Sequence, residues 1–117
     1  MEKSDAIVAL AALAQDNRLD AYRLLVRAGP GGMPAGAVAE ALKLAPNTLT
    51  FHFDRLRQAG LVSVRREGRS MIYAARYEAM NGLIAYLTEN CCAGTSELCG
   101  QPETCTPGRA KRGKVPA

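Results

Sequence analysis

Apolar positions recur along the chain with helical spacing in five places and with strand character in one. Ser4 can cap a first helix that runs to about Ala14, with Ile7, Leu10, Ala11 and Ala14 along one face and Leu13 beside it. Asn17 is the expected cap of a second helix, and Asp20 sits near its positive end. Leu19, Tyr22, Leu24, Leu25 and Val26 make this helix strongly apolar, so it is expected to be the most buried. Gly29-Pro30-Gly31-Gly32-Met33-Pro34 reads as a loop. A third helix over about Ala35 to Leu42 then buries Val38, Ala39 and Leu42.

The stretch from Leu42 to Ala75 organises the rest. After a tight turn, Pro46 suits the first turn of a fourth helix. Leu49, His52, Phe53 and Leu56 fall at i, i+3, i+4 and i+7, the spacing of one buried face. The opposite face carries Asn47, Thr48, Thr50, Phe51, Asp54 and Arg55, several of which can bond base edges or phosphates. Gly60 stops the helix. Leu61, Val62 and Val64 begin a strand, Gly68 turns it among Arg65, Arg66 and Arg69, and Met71, Ile72 and Tyr73 return it. A helix-turn-helix followed by a basic two-stranded hairpin is a winged helix, whose second helix can enter a major groove while the wing rides the backbone. The fold class expected is therefore mainly α (α+β). His52, on the inward face, reads as a packed residue rather than a ligand or catalyst.

A last helix spans roughly Tyr77 to Asn90, with Tyr77, Met80, Leu83, Ile84 and Leu87 at helical spacing. Three segments are expected: a winged-helix and dimerisation domain over 1–90, a Cys-rich segment over 91–105, and a disordered basic tail over 106–117. A winged core of this size cannot cover the apolar faces of both end helices. The expectation is a homodimer in which Ile7, Leu10, Met80, Leu83, Ile84 and Leu87 pack across a two-fold axis.

Charge sharpens the picture. The chain of 117 residues is +4 overall, but residues 47–76 hold six Arg against two acids, a local +4, and the tail from Thr106 holds four bases and no acid. Positive charge gathers at the hairpin, which suits a polyanion such as double-stranded DNA. Aromatics are only 5%, so the core is aliphatic and Ala-rich. The start lacks both a membrane-length apolar run and a signal-peptide pattern, so a cytoplasmic location with reduced thiols is expected.

All four Cys lie in the last 27 residues: Cys91, Cys92, Cys99 and Cys105. The spacing C-C-x6-C-x5-C is not that of a zinc ribbon. With no His nearby, the cluster is purely sulfur, and thiolates select soft, thiophilic ions. Adjacent Cys can share one ion only if the chain bends between them. Three thiolates in a pyramid suit trivalent arsenic or antimony. Vicinal thiols with a distant partner also suit a redox sensor.

The segments NRLDAYRLL, VAEALKLAPNTLTFHFDRLRQAGLV and VRREGRSMIYAA, spread over about residues 7 to 90, resemble the ArsR/SmtB winged-helix repressors. TLTFHFDRLRQAGLVSVRREGR is the most specific part. The resemblance implies a homodimeric repressor that releases operator DNA on binding a metal ion or metalloid. Two departures matter. The helix before the recognition helix reads AGAVAEAL and lacks the Cys-x-Cys of the first-described arsenic sensors, and the last helix lacks the His of the zinc sensors. ENCCAGTSELC is similar to a subgroup of arsenic repressors with vicinal C-terminal cysteines. That similarity implies As(III) as inducer, held by Cys91, Cys92 and Cys99, with Cys105 a further candidate; Sb(III) and methylated As(III) remain alternatives.

The function expected is thus an arsenic-responsive repressor that reads DNA through Asn47, Thr48, Thr50, Phe51 and Arg55 and grips the backbone with Arg65, Arg66 and Arg69. Its rivals are a thiol-redox repressor on the same fold and a metalloid-sequestering protein. No paired carboxylates, nucleophile–base set or phosphate loop suggests an enzyme, so no catalytic residue or catalytic cofactor is expected.

Overall fold

The rings of Phe53 and Tyr73 stack with centroids 4.0 Å apart and 19° between planes, joining a helix to a sheet at the centre of the core. The computed structural model describes residues 1–94. The chain runs α1 (Lys3–Leu13), α2 (Asp16–Ala28), β1 (Met33–Pro34), α3 (Ala35–Leu42), α4 (Pro46–Gln58), β2 (Val62–Glu67), β3 (Ser70–Ala75) and α5 (Tyr77–Leu87), then a 3-10 turn over Cys91–Gly94. It is a winged helix-turn-helix, as expected. Residues 2–80 form one compact unit; Met1 and the residues from 81 onward form another.

In the first unit, α2, α4 and β3 each turn three or more residues into the core. Leu25, Val38, Leu49, Phe53, Leu56, Leu61 and Val62 are almost wholly buried. Each contributes about 1.5–3 kcal/mol by leaving water. The face expected of α4, Leu49, His52, Phe53 and Leu56, is the face that is buried. Leu56 and Leu61 also close its end. The Leu61 N–H donates to the Leu56 carbonyl at 3.0 Å and the Gly60 N–H to Arg57 at 2.9 Å, with Gly60 at φ +78°, a Schellman cap.

Helix starts differ from expectation by a residue or two. α1 begins at Lys3, and the Glu2 N–H donates to Asp5 Oδ2 at 3.3 Å, so Ser4 lies inside the first turn. α2 begins at Asp16 with Gln15 as its cap, its Oε1 accepting from the Arg18 N–H at 2.8 Å, so Asn17 is helical. In both cases the helix starts upstream of the expected cap, and Asp5 and Gln15 are the side chains that accept at its start. Arg18 Nε in turn donates to the Ala12 carbonyl at 2.7 Å, at the end of α1.

α1 is apolar on every side, and it buries Ala6 and Ala9. The stripe containing Ile7 and Leu10 stays outside, with Ile7 57% and Leu10 42% exposed. On α2, Tyr22 and Leu25 are buried but Leu19 is exposed. α5 ends at Leu87, short of the Asn90 expected. Tyr77, at its start, donates its hydroxyl to the Val26 carbonyl at 2.9 Å, satisfying one of the open carbonyls at the end of α2.

The sheet has three strands where two were expected, in the antiparallel order β1-β3-β2. Val62 pairs with Ala75 and Glu67 with Ser70, while Met33 pairs with Tyr73 and Pro34 with Ile72. The loop read from Gly29 to Pro34 therefore ends in a two-residue edge strand, where a Pro is tolerated because its missing donor faces outward. Gly32 makes the approach possible: at φ +77°, a Cβ there would collide with the Tyr73 carbonyl oxygen. None of the described helices is long and apolar enough to cross a membrane. Cys99, Cys105 and the tail over 106–117 lie outside the described residues.

Candidate nucleic-acid interface

α3 and α4 are joined by residues 43–45, with Lys43 in the left-handed region at φ 57°. The turn leaves α4 with one face in the core and the other open. Asn47, Thr48, Thr50, Phe51 and Arg55 are all exposed, as the helical spacing anticipates. Ala45, at the N-cap, has no side chain able to cap, so the first N–H groups of α4 are left for an outside acceptor, which a phosphate can be.

The polar residues on this face are not equally free. Thr50 donates its hydroxyl to the Pro46 carbonyl at 3.0 Å, so its oxygen remains as an acceptor. Arg57 pairs with Asp54 at 3.6 Å. Arg55 has no carboxylate partner among the described residues; its guanidinium lies over the Phe51 ring, 5.5 Å from the centroid. Phe51 is 55% exposed, a large apolar surface in the middle of a polar face. Its neighbour His52 points inward. Its Nδ1 is buried with no partner among the described residues, and burial, then the Arg18 charge, push its pKa below the ordinary value of 6.5.

The wing projects beyond the core from Arg65 to Met71, with every residue but Ile72 onward exposed. Its three arginines differ in what they hold. Arg65 is tied twice, from Nε to Glu67 Oε2 at 2.7 Å and from Nη2 to the Gly31 carbonyl at 2.9 Å. Arg66 Nε donates to the Gly68 carbonyl at 3.2 Å and braces the turn, where Gly68 adopts φ +61°. Arg69 has no ion-pair partner among the described residues. The Arg65–Glu67 pair went unread in the sequence, although two residues apart on a strand share a face and the pairing was there to find.

At the other end of the chain, Cys91 and Cys92 follow α5 after residues 88–90. Asn90, Cys92 and Ala93 all have left-handed backbone, at φ 58°, 57° and 50°, so the chain bends at the thiol pair. Partial desolvation, followed by the hydrogen bond and charge of Cys92, pushes the Cys91 thiol above its usual pKa.

A family described as a helix-turn-helix domain matches residues 13–65. The chain is similar to the HTH-type transcriptional regulator YgaV of Escherichia coli K12, 29% identical over 87 residues that cover 74% of this chain and 86% of that protein. Among solved structures, it resembles NolR from Sinorhizobium fredii, with 30% identity, a TM-score of 0.59, and coverage of 83% of this chain and 86% of that one. It also resembles the homodimeric winged helix-turn-helix DNA-binding domain of Mb0332 from Mycobacterium bovis, described as a possible ArsR-family transcriptional regulator. There the identity is 25% and the TM-score 0.61, over 72% of this chain and 76% of that one. The chain carries a helix-turn-helix domain on a winged-helix fold, and the ArsR family of transcriptional regulators is the one its neighbours point to.

The helix-turn-helix domain and the regulators it matches mark a DNA-binding protein and not an enzyme. Seen in this light, the residues expected at a dimer interface sort by exposure. Ile7, Leu10, Ile84 and Leu87 present apolar surface, Met80 is half-buried, and Leu83 is already buried within the single chain.

Proposed function

We propose that this ArsR-family regulator is a homodimeric repressor that holds operator DNA and releases it when trivalent arsenic binds C-terminal thiolates. The observation that carries the reading is the vicinal pair Cys91 and Cys92, set at a left-handed bend a short turn after α5. A bend there lets two adjacent sulfurs turn toward one centre, which a continuing helix would forbid. Cys99 supplies the third thiolate, with Cys105 as the alternative; residues 91–105 form the sensing segment and 106–117 a basic tail that adds attraction to DNA. Sb(III) and methylated As(III), which share the affinity for sulfur, fall within the same reading.

On DNA, Asn47, Thr48, Thr50, Phe51 and Arg55 face the major groove, and Arg66 and Arg69 meet the backbone, with Arg65 supporting the wing between them. Two copies place two such helices about one helical turn apart. The homodimeric state described for Mb0332 and the exposed apolar surface of Ile7, Leu10, Ile84 and Leu87 support the pairing.

The redox rival uses the same vicinal thiols, and the two readings part on whether release needs an oxidant or a thiophilic ion. The deciding experiment is duplex binding by the full chain, kept fully reduced, with and without As(III). Release under reducing conditions is expected; binding unchanged by As(III) refutes the arsenic reading.

A further inference from the structure

We propose that Phe51 and Arg55 act as one reading unit, which selects a thymine, through its 5-methyl group, directly beside a guanine. The inference rests on α4 being the recognition helix and goes beyond it by naming what that helix reads.

Two features of the open face of α4 carry it. First, Phe51 leaves 55% of its surface exposed between hydrogen-bonding residues. The major groove offers one apolar feature, the thymine methyl, and an exposed ring on a groove-facing helix matches it. Second, the Arg55 guanidinium sits 5.5 Å over that ring, without a carboxylate partner among the described residues. Its charge is therefore neither neutralised nor spent on a main-chain carbonyl, in contrast to Arg57, Arg65 and Arg66. The stacking restricts the rotamers of a long side chain before DNA arrives, which reduces what is lost on binding. A planar fork held in this way can donate to guanine O6 and N7 together.

The spacing fixes how far apart the two readings fall. Four residues advance about 6 Å along a helix. Stacking folds Arg55 back toward Phe51, and the guanidinium carbon lies 5.5 Å from the ring centroid, closer than two base steps of ~3.4 Å each. The two bases are therefore adjacent, and neither is read well alone.

The test uses the full chain and duplexes that it selects from a random library. Single thymines are replaced by deoxyuridine, which loses only the methyl, and single guanines by 7-deazaguanine, which loses only the N7 acceptor. The expected result is one thymine per half-site where deoxyuridine weakens wild-type binding about fourfold, as for one buried methyl. The neighbouring guanine should show a loss of about fivefold with 7-deazaguanine, as for one of two base bonds. Phe51→Ala should bind thymine and deoxyuridine equally, and Arg55→Ala should ignore the deazaguanine. Phe51→Leu should keep the methyl effect but lower the guanine effect, because the ring that orients Arg55 is gone. Both side chains are solvent-facing, so the variants should melt with wild type. A selected duplex bound by wild type but indifferent to deoxyuridine at every thymine overturns the proposal. Sensitive thymine and guanine positions that are not neighbours overturn it too. Failure to select any sequence over random overturns the recognition-helix reading as well, and is distinguishable because no duplex then exists to scan.

Discussion

Arg65 reaches back from the wing to the carbonyl of Gly31, 2.9 Å away, while its Nε holds Glu67 at 2.7 Å. This separates a supporting arginine from a reaching one. Arg69→Ala should weaken binding to all duplexes alike and lower the slope of log affinity against log salt by about 1, with no change in melting temperature. Arg65→Ala should lower the slope less, since Glu67 already answers part of its charge, and should cost a few tenths of a kcal/mol in stability. Salt titrations of both variants beside their melting curves check the division.

Gly32 and Gly31 offer a matched pair. Gly32→Ala should destabilise by about 2–3 kcal/mol, from the positive φ and the collision with the Tyr73 carbonyl. Gly31→Ala meets nothing within 4 Å and should fall within about 0.5 kcal/mol of wild type. Urea midpoints for the two variants are the measurement, and equal midpoints would remove Gly32 from its role in seating β1.

Ile84 and Leu87 are the interface positions to alter, because they are exposed in the single chain, whereas a charge at buried Leu83 would damage the chain itself. Ile84→Glu with Leu87→Glu should sediment as a folded monomer at micromolar concentration, where wild type is expected to be a dimer. It should bind an operator far more weakly, since each half-site is then held alone.

His52 makes stability depend on pH in a definite direction. Its folded pKa lies below 6.5, so as pH falls through 6.5 the unfolded chain takes up the proton first and stability drops. The loss levels off once the folded protein also binds it. The contribution is fully present above 6.5. His52→Leu should flatten this part of the stability profile between pH 7 and 5, and an unchanged slope would assign it to another group.

Each of Cys91→Ser, Cys92→Ser and Cys99→Ser should retain duplex binding but lose release by inorganic As(III), because a serine oxygen is hard and protonated at neutral pH. Cys105→Ser should respond nearly as wild type. If instead Cys105→Ser fails and Cys99→Ser responds, the third ligand is Cys105. Release by peroxide without arsenic, reversed by a reductant, is the signature of a redox switch.

What was legible in the sequence, and what was not, follows from how strongly each residue pattern constrains packing. Leu49, His52, Phe53 and Leu56 announce their burial because, Pro46 and Phe51 apart, polar residues fill the rest of α4. Gly60 announces its cap because few residues accept its φ. α1 could not announce which side it buries, since Ala6 and Ala9 compete with Ile7 and Leu10 in a helix apolar all round. β1 is too short to carry a period, and the clue to it is a glycine whose partner lies forty residues away in β3. The tie from Arg65 to Gly31, 34 residues apart, is also remote in sequence. Half of the thiol cluster lies outside the described residues, so its geometry is visible only at Cys91 and Cys92.

Only residues 59–61 separate α4 from β2, and none of them is idle. Ala59, Gly60 and Leu61 each donate back into the last turn of α4, and the Leu61 carbonyl accepts from Arg76 at 2.8 Å, where β3 ends. Helix and wing consequently share a joint without slack, and on the proposed reading the pair meets DNA like a stamp cut from one piece. A signal can lift the stamp or shift where it lands, but it cannot re-cut the pattern. An inducer should therefore scale affinity for every duplex by the same factor and leave the order of preferred sequences as it was.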